Sequence, residues 1–180
     1  MTSVSLVTTF ARRFSSTSRL LQIQVGDKLP SIALHQNSPG NKVDIRQLFA
    51  NKKGILFAVP GAFTPGCSKT HLPGYLQHYD NFKSKGIDVI ACVSVNDAFV
   101  VDAWSKSNNV DDRLEMLADT SAQFTKSVGL DFDATPVLGN IRSKRYAMII
   151  EDTVVKQINV EPDGTGLSCS LAQNILEQLS

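Results

Sequence analysis

Cysteine is scarce in this chain of 180 residues: there are three, Cys67, Cys92 and Cys169, unevenly spaced. That number and spacing exclude the disulfide framework of a small secreted domain, and no Cys-x-x-Cys pair is present to form a dithiol redox centre. Histidine is equally sparse, and His35 and His78 show no partner pattern. Cys67 and His71 lie four apart and could share a helix face, but zinc takes three or four protein ligands, so no metal site is expected and His71 reads as a packed or locally hydrogen-bonded residue. No apolar run approaches the roughly 18 to 20 residues of a membrane span, so no membrane partner is expected. A strong excess of either charge is missing too. The formal net charge is +1, with 19% charged residues and 42% apolar ones, which suits one ordinary globular domain and gives no field for nucleic acid.

The first 22 residues, "MTSVSLVTTFARRFSSTSRLLQ", lack any acidic side chain while carrying Arg12, Arg13 and Arg19 and nine Ser or Thr residues. Val4, Val7, Ala11 and Phe14 would line one face of a helix. Acid-poor, Arg- and Ser-rich, amphipathic segments are transit peptides, and a mitochondrial one is expected at 1–22, ahead of a single domain at 23–180. The mitochondrial matrix is then the expected location, or the cytoplasm if the leader is not used. Removing the leader takes away three arginines and no acid, leaving a mildly acidic domain.

Along the remaining chain, "VGDKLPSIALHQ" reads as a loop and a first strand, and "NSPGNK" as a turn. "GILFAVP" and "IDVIACVSV" are short apolar runs of the kind that form buried strands. Cys92, in the second of these, reads as core. Between them Thr64 is a good N-cap and Pro65 suits the first helical position, so a helix should start there, with Pro73 and Gly74 interrupting it before it resumes through "YLQHYDNFKSKG". "NDAFVVDAWSKS" opens a helix capped by Asn96 or Asp97, with Trp104 in the core. "RLEMLAD" is a short strand. "TSAQFTKSVGL" is a helix begun by Thr120 or Ser121 and closed by Gly129. "RYAMIIEDTVVKQINV" is a pair of strands joined at Glu151-Asp152. After the loop "EPDGTGLSC", a Ser170-x-x-Gln173 capping box should start the last helix. Strands alternating with helices and ending in a hairpin predict one α/β sandwich.

The chemistry concentrates at Cys67. Placed in the first turn of a helix, it faces unpaired N–H groups and the positive end of the dipole, which favour the thiolate over a thiol whose ordinary pKa is about 8.5. Full ionisation raises the reactive fraction about thirtyfold, worth about 2 kcal/mol. The lower basicity of such a thiolate cancels about tenfold of that. Fast chemistry therefore needs groups that stabilise charge developing on the substrate. The Thr64 hydroxyl and the helix-start amides are placed to do so, and the "RSKR" stretch at 142–145 supplies cations.

"PGAFTPGC" resembles the Pro-x-x-x-Thr-x-x-Cys signature of peroxiredoxins at Pro60, Thr64 and Cys67. With "ACVSVNDAFV", "SKRYAMII" and "VEPDGTGLSCSLAQNIL", the chain beyond the leader is most similar to the type-five, atypical two-cysteine peroxiredoxins of animal mitochondria. "DFDATPVLGNIR" matches that pattern only loosely. The resemblance implies a thioredoxin-like fold with a central mixed sheet flanked by helices. It implies Cys67 as peroxidatic cysteine, Arg145 as the guanidinium beside it, Thr64 as a hydroxyl bonding to sulfur and substrate, and Pro60 as a pocket wall. It implies Cys169 as resolving cysteine, whose disulfide with Cys67 is reduced by thioredoxin. The implied substrates are hydrogen peroxide, organic hydroperoxides and peroxynitrite, with no cofactor; monomer and homodimer both remain open. A redox sensor that oxidises without turnover is the competing reading.

Overall fold

The computed structural model describes residues 22–179, so residues 1–21 of the expected leader lie outside the described region. The strands are β1 (Ala33–Gln36), β2 (Ser38–Asp44), β3 (Lys53–Val59), β4 (Val89–Ser94), β5 (Glu115–Ala118), β6 (Asp131–Asp133), β7 (Ile141–Ser143), β8 (Tyr146–Glu151) and β9 (Val154–Val160). The helices are α1 (Ile45–Leu48), α2 (Leu72–Gln77), α3 (Tyr79–Ser84), α4 (Ala98–Ser107), α5 (Gln123–Ser127), α6 (Thr135–Leu138) and α7 (Ala172–Gln178).

Seven strands form one sheet in the order β2-β1-β5-β4-β3-β8-β9, while β6 and β7 pair separately. The centre is parallel, β3 with β4 and β4 with β5, and β8 then runs antiparallel to β3. A strand buried on both faces needs an apolar side chain at nearly every position. β3 and β4 meet that demand. Ile55, Phe57 and Val59 of β3 pack on one face with Trp104 of α4 and Ile175 of α7, and Leu56 and Ala58 pack on the other with Ile45 and Phe124. Two apolar layers therefore enclose the sheet in a thioredoxin-like α/β fold. Gly54 is required at the edge of one layer, because a Cβ there would lie 2.5 Å from the Phe49 ring and 2.6 Å from Val89.

The expected turn at "NSPGNK" is instead mostly the edge strand β2, the reversal being confined to Asn37 at φ 60°. Pro39 and Gly40 are tolerated there because an outer strand need not donate to a further neighbour. The other reversals follow the chain's turn residues: Asp152 and Thr153 carry the β8–β9 hairpin at φ 44° and 69°. Among the described residues no helix is long and apolar enough to cross a membrane.

Candidate active site

Leaving β3, the chain turns sharply at Pro60, which is buried against the sheet end. Asn96 fixes this turn: its side-chain oxygen accepts from Ala62 N–H at 2.9 Å and from the Ser94 hydroxyl at 2.7 Å. Phe63 is held at φ 61°, a left-handed conformation that costs a residue with a Cβ about 1–2 kcal/mol. Asp97, not Asn96, caps α4, accepting from Val100 N–H at 3.0 Å.

The helix begins at Pro65, and Ser68 N–H donates to the Thr64 carbonyl at 2.9 Å. From Cys67 to His71 it widens into a π-turn, with Leu72 N–H returning to the Cys67 carbonyl. The expected interruption at Pro73 and Gly74 takes this form. Pro73 has no N–H to offer the preceding turn, and the wider turn absorbs the lost bond, while the chain breaks only at His78, between α2 and α3. The π-turn is tied down from the far side by Trp104, whose indole N–H donates to the Ser68 hydroxyl at 2.9 Å.

Cys67 exposes no surface to solvent. Its sulfur lies 3.3 Å from Nη1 of Arg145, which arrives from the link between β7 and β8 and is itself 3% exposed. The same Nη1 lies 3.2 Å from Nδ1 of His71, and Nε donates to the Thr165 carbonyl at 3.0 Å. A guanidinium has only donors, so Nδ1 accepts, and Nε2 carries the proton that it donates to the Ser170 carbonyl at 3.0 Å. His71 is thus a neutral spacer between the guanidinium and the Ser170-Leu171 peptide. Burial first, and then the Arg145 charge, hold its pKa down to about 3. Both ring nitrogens are engaged, so His71 is not presented to a metal. Tyr75 shares the same carbonyl, its hydroxyl donating at 2.8 Å, and stacks on Phe57 with ring centroids 3.9 Å apart.

None of the ion pairs among the described residues involves Arg145. A buried guanidinium without a carboxylate is costly, and the group it faces that can become an anion is the Cys67 sulfur. Of the other RSKR cations, Arg142 donates to the Val95 carbonyl at 2.8 Å and to Asn140 at 2.6 Å, behind Gly61.

Two expectations need correction. Thr64 does not donate to the Cys67 sulfur; its hydroxyl donates to the Gly61 carbonyl at 2.9 Å, which leaves its oxygen lone pairs free to accept. Ser170 does not cap α7, whose N-cap is Leu171 without a side-chain bond. Its hydroxyl instead reaches Glu161 at 2.7 Å.

Cys169 is half-buried, and both it and Cys67 are free thiols. Its segment wraps a carboxylate: Glu161 Oε1 accepts from the N–H groups of Ser168, Cys169 and Ser170 at 2.9, 3.0 and 2.9 Å. Three consecutive amides and two serine hydroxyls hold Glu161 ionised, with a pKa of about 2 although burial opposes it. Burial and then the Glu161 charge push the Cys169 thiol up. Sequence reasoning missed Glu161, Tyr75 and the His71 bridge. An acid followed by a glycine- and serine-rich loop is a mark of turn-building, but which amides it collects is decided by the tertiary path.

A family model described as Redoxin matches residues 24–176. The chain is 44% identical over 174 residues to the chloroplastic peroxiredoxin-2E of Arabidopsis thaliana, covering 93% of this chain and 74% of that protein. It is 42% identical over 164 residues to the chloroplastic peroxiredoxin-2E-2 of Oryza sativa subsp. japonica, covering 87% of this chain and 72% of the relative. Among solved structures, reduced Prx3 from Vibrio vulnificus in complex with H2O2 aligns with a TM-score of 0.82 at 48% identity, over 88% of this chain and all 100% of that one. Peroxiredoxin 5 from Alvinella pompejana gives 0.78 at 41% identity, over 87% and 97%.

The fold and the buried thiol beside a guanidinium define a thioredoxin-like oxidoreductase. Within that class the chain belongs to the peroxiredoxin family, whose members are peroxidases acting on peroxide substrates and generally reduced by thioredoxin-like partners. The mitochondrial expectation does not stand, nor does its cytoplasmic alternative, because the two relatives named above are chloroplastic proteins. Arg- and Ser-rich, acid-poor composition is common to mitochondrial and chloroplast transit peptides, so composition could not separate them.

Proposed function

We propose that this peroxiredoxin works by the two-cysteine route, with Cys67 as the peroxidatic and Cys169 as the resolving residue, as in the type-five subfamily. The observation that carries the first assignment is the buried Arg145 guanidinium, without a carboxylate partner among the described residues, 3.3 Å from the Cys67 sulfur. A thiolate there attacks the near oxygen of a hydroperoxide; the S–O bond forms, the O–O bond breaks, and the leaving oxygen takes up a proton as alcohol or water. Arg145 lies beside the sulfur, where its guanidinium stabilises the charge that builds as the O–O bond breaks. Thr64 accepts from the peroxide O–H and so orients it, and Pro60 walls the pocket.

The Cys67 sulfenic acid then condenses with the Cys169 thiol, forming the S–S bond and releasing water, and a thioredoxin dithiol reduces the product. Hydrogen peroxide, organic hydroperoxides and peroxynitrite are the substrates. Residues 1–22 are a transit peptide directing the domain at 23–180 to a plastid, a reading supported by the leader composition and the two chloroplastic relatives.

Steady peroxide consumption with thioredoxin tests the assignment. Cys67→Ser abolishes it, whereas Cys169→Ser permits one oxidation per subunit without thioredoxin-supported turnover. Full rate in Cys67→Ser would end the peroxidatic assignment. Uptake of a reporter fused to residues 1–22 by isolated mitochondria, and not by chloroplasts, would end the plastid one.

A further inference from the structure

Cys67 and Cys169 are both free thiols, the first buried beside Arg145 and the second in a loop held by its own contacts, and a disulfide joins two sulfurs only at about 2.05 Å. Something must let go, and the contacts that hold the Cys169 segment can be named. Glu161 collects bonds from Ser168, Cys169 and Ser170, three through backbone N–H groups and two through the hydroxyls of Ser168 and Ser170. The carbonyl side of the same stretch is held separately, Ser170 C=O accepting from His71 and Tyr75. The loop is compact around this hub. Gly164 N–H donates back to the Glu161 carbonyl at 2.9 Å, and a Cβ on Gly166 would lie 3.2 Å from Glu161 Oε2.

Glu161 has no cationic partner among the ion pairs of the described residues. Its charge is spent wholly on this segment. Bonds to an ionised acceptor are the stronger kind, and five converging on one carboxylate make the docked segment the most tightly held part of the loop.

We propose that Glu161 is a positioning residue for the resolving step: its carboxylate latches Cys169 in a docked position, and its release sets the rate at which Cys169 reaches oxidised Cys67. The inference rests on the two-cysteine reading above. While the latch holds, the sulfenic acid meets a second peroxide more often and is oxidised to sulfinic acid, an oxygen passing to sulfur as the O–O bond breaks. Loosening the latch favours the disulfide. The Glu161 carboxylate bonds within the Cys169 segment and makes no hydrogen bond to Cys67, so the first oxidation proceeds at the same rate with or without it.

The test follows both branches by intact mass in full-length protein, after one equivalent and after excess hydrogen peroxide. A loss of two hydrogens marks the disulfide and a gain of two oxygens the sulfinic acid. Trp104, bonded next to Cys67 at Ser68, reports the first oxidation by its fluorescence. In Glu161→Gln the shape is kept and the charge removed. Disulfide formation is expected to quicken about tenfold, the sulfinic fraction to fall in proportion, and the first oxidation to keep its rate. Ser168→Ala and Ser170→Ala, each lacking one hydroxyl bond, should move the same way by about threefold, and they serve if Glu161→Gln does not fold. Disulfide formation that is unchanged or slower in these variants overturns the latch while leaving the two-cysteine reading intact. A wild-type protein that forms no internal disulfide overturns that reading, and the latch with it.

Discussion

Arg145 answers to three acceptors at once, the Cys67 sulfur, His71 Nδ1 and the Thr165 carbonyl, and the planar fork of the guanidinium is what lets one side chain do so. A lysine brings the same charge but not the fork. Arg145→Lys is therefore expected to lower kcat/KM for hydrogen peroxide by about 10²- to 10³-fold, a loss of the size seen when one aimed donor to developing charge is removed. An unchanged kcat/KM would mean that the charge alone matters. His71 makes a different prediction, in stability. Its folded pKa of about 3 lies below the ordinary 6.5, so between those values the unfolded chain binds a proton that the folded one refuses. Stability is thus lost as pH falls from about 6.5 toward 3. Glu161, at about 2 against 4.5, adds a loss of the same sign further down. His71→Gln, which can still accept from Arg145 and donate to Ser170, should flatten the dependence of the urea midpoint on pH between about 6.5 and 4.5. A slope equal to wild type would show that His71 is protonated in the fold.

The helix that carries Cys67 is shaped by its neighbours as much as by its own residues. Gly66 leaves room for Arg145: a Cβ there would lie 3.2 Å from Nη2 and 3.4 Å from Leu167. Gly66→Ala should displace the guanidinium by a few tenths of an ångström and lower kcat/KM about tenfold with little change in unfolding midpoint, since misplacement of 1 Å costs about 10²-fold. At α5 the expected starts, Thr120 and Ser121, are not the cap. Asp119 accepts from the N–H groups of Phe124 and Thr125 at 3.2 and 2.8 Å, and Ala122 enters at φ 56°. Within that helix the Thr125 hydroxyl is buried without a hydrogen-bond partner among the described residues. Thr125→Val removes an unsatisfied group while keeping shape, and thermal unfolding should show stability raised by up to about 1 kcal/mol. Elements with strong local signals were legible: the apolar runs of β3 and β4, Thr64-Pro65 at the helix start and Gly129 at the close of α5 all lie where the chain alone puts them. The helix starts of α5 and α7 were not, because Asp119 rather than Thr120 or Ser121 takes the α5 amides, and Ser170 turns its hydroxyl to Glu161 instead of to α7.

At the scale of the described chain the main sheet is buried on both faces, and Cys92 lies in one of its two core layers. It is 1% exposed, with burial pushing its thiol well up, so it stays protonated. Cys92→Ala should keep full peroxidase activity, and Cys92→Ser should cost about 1–3 kcal/mol by burying a hydroxyl, measured as a lowered urea midpoint. The order β2-β1-β5-β4-β3-β8-β9 carries β8 next to β3, which is how residue 145 comes to lie beside residue 67. By itself the chain of residues determined the class of fold and the helix start that carries Cys67, because periodicity and capping act within a few residues of one another. Only the tertiary structure decided that the guanidinium faces sulfur and histidine without a carboxylate, that Thr64 bonds to Gly61, and that Glu161 holds Cys169. Those contacts join positions separated by up to 78 residues, or depend on which donor wins a shared acceptor, and packing alone settles that competition.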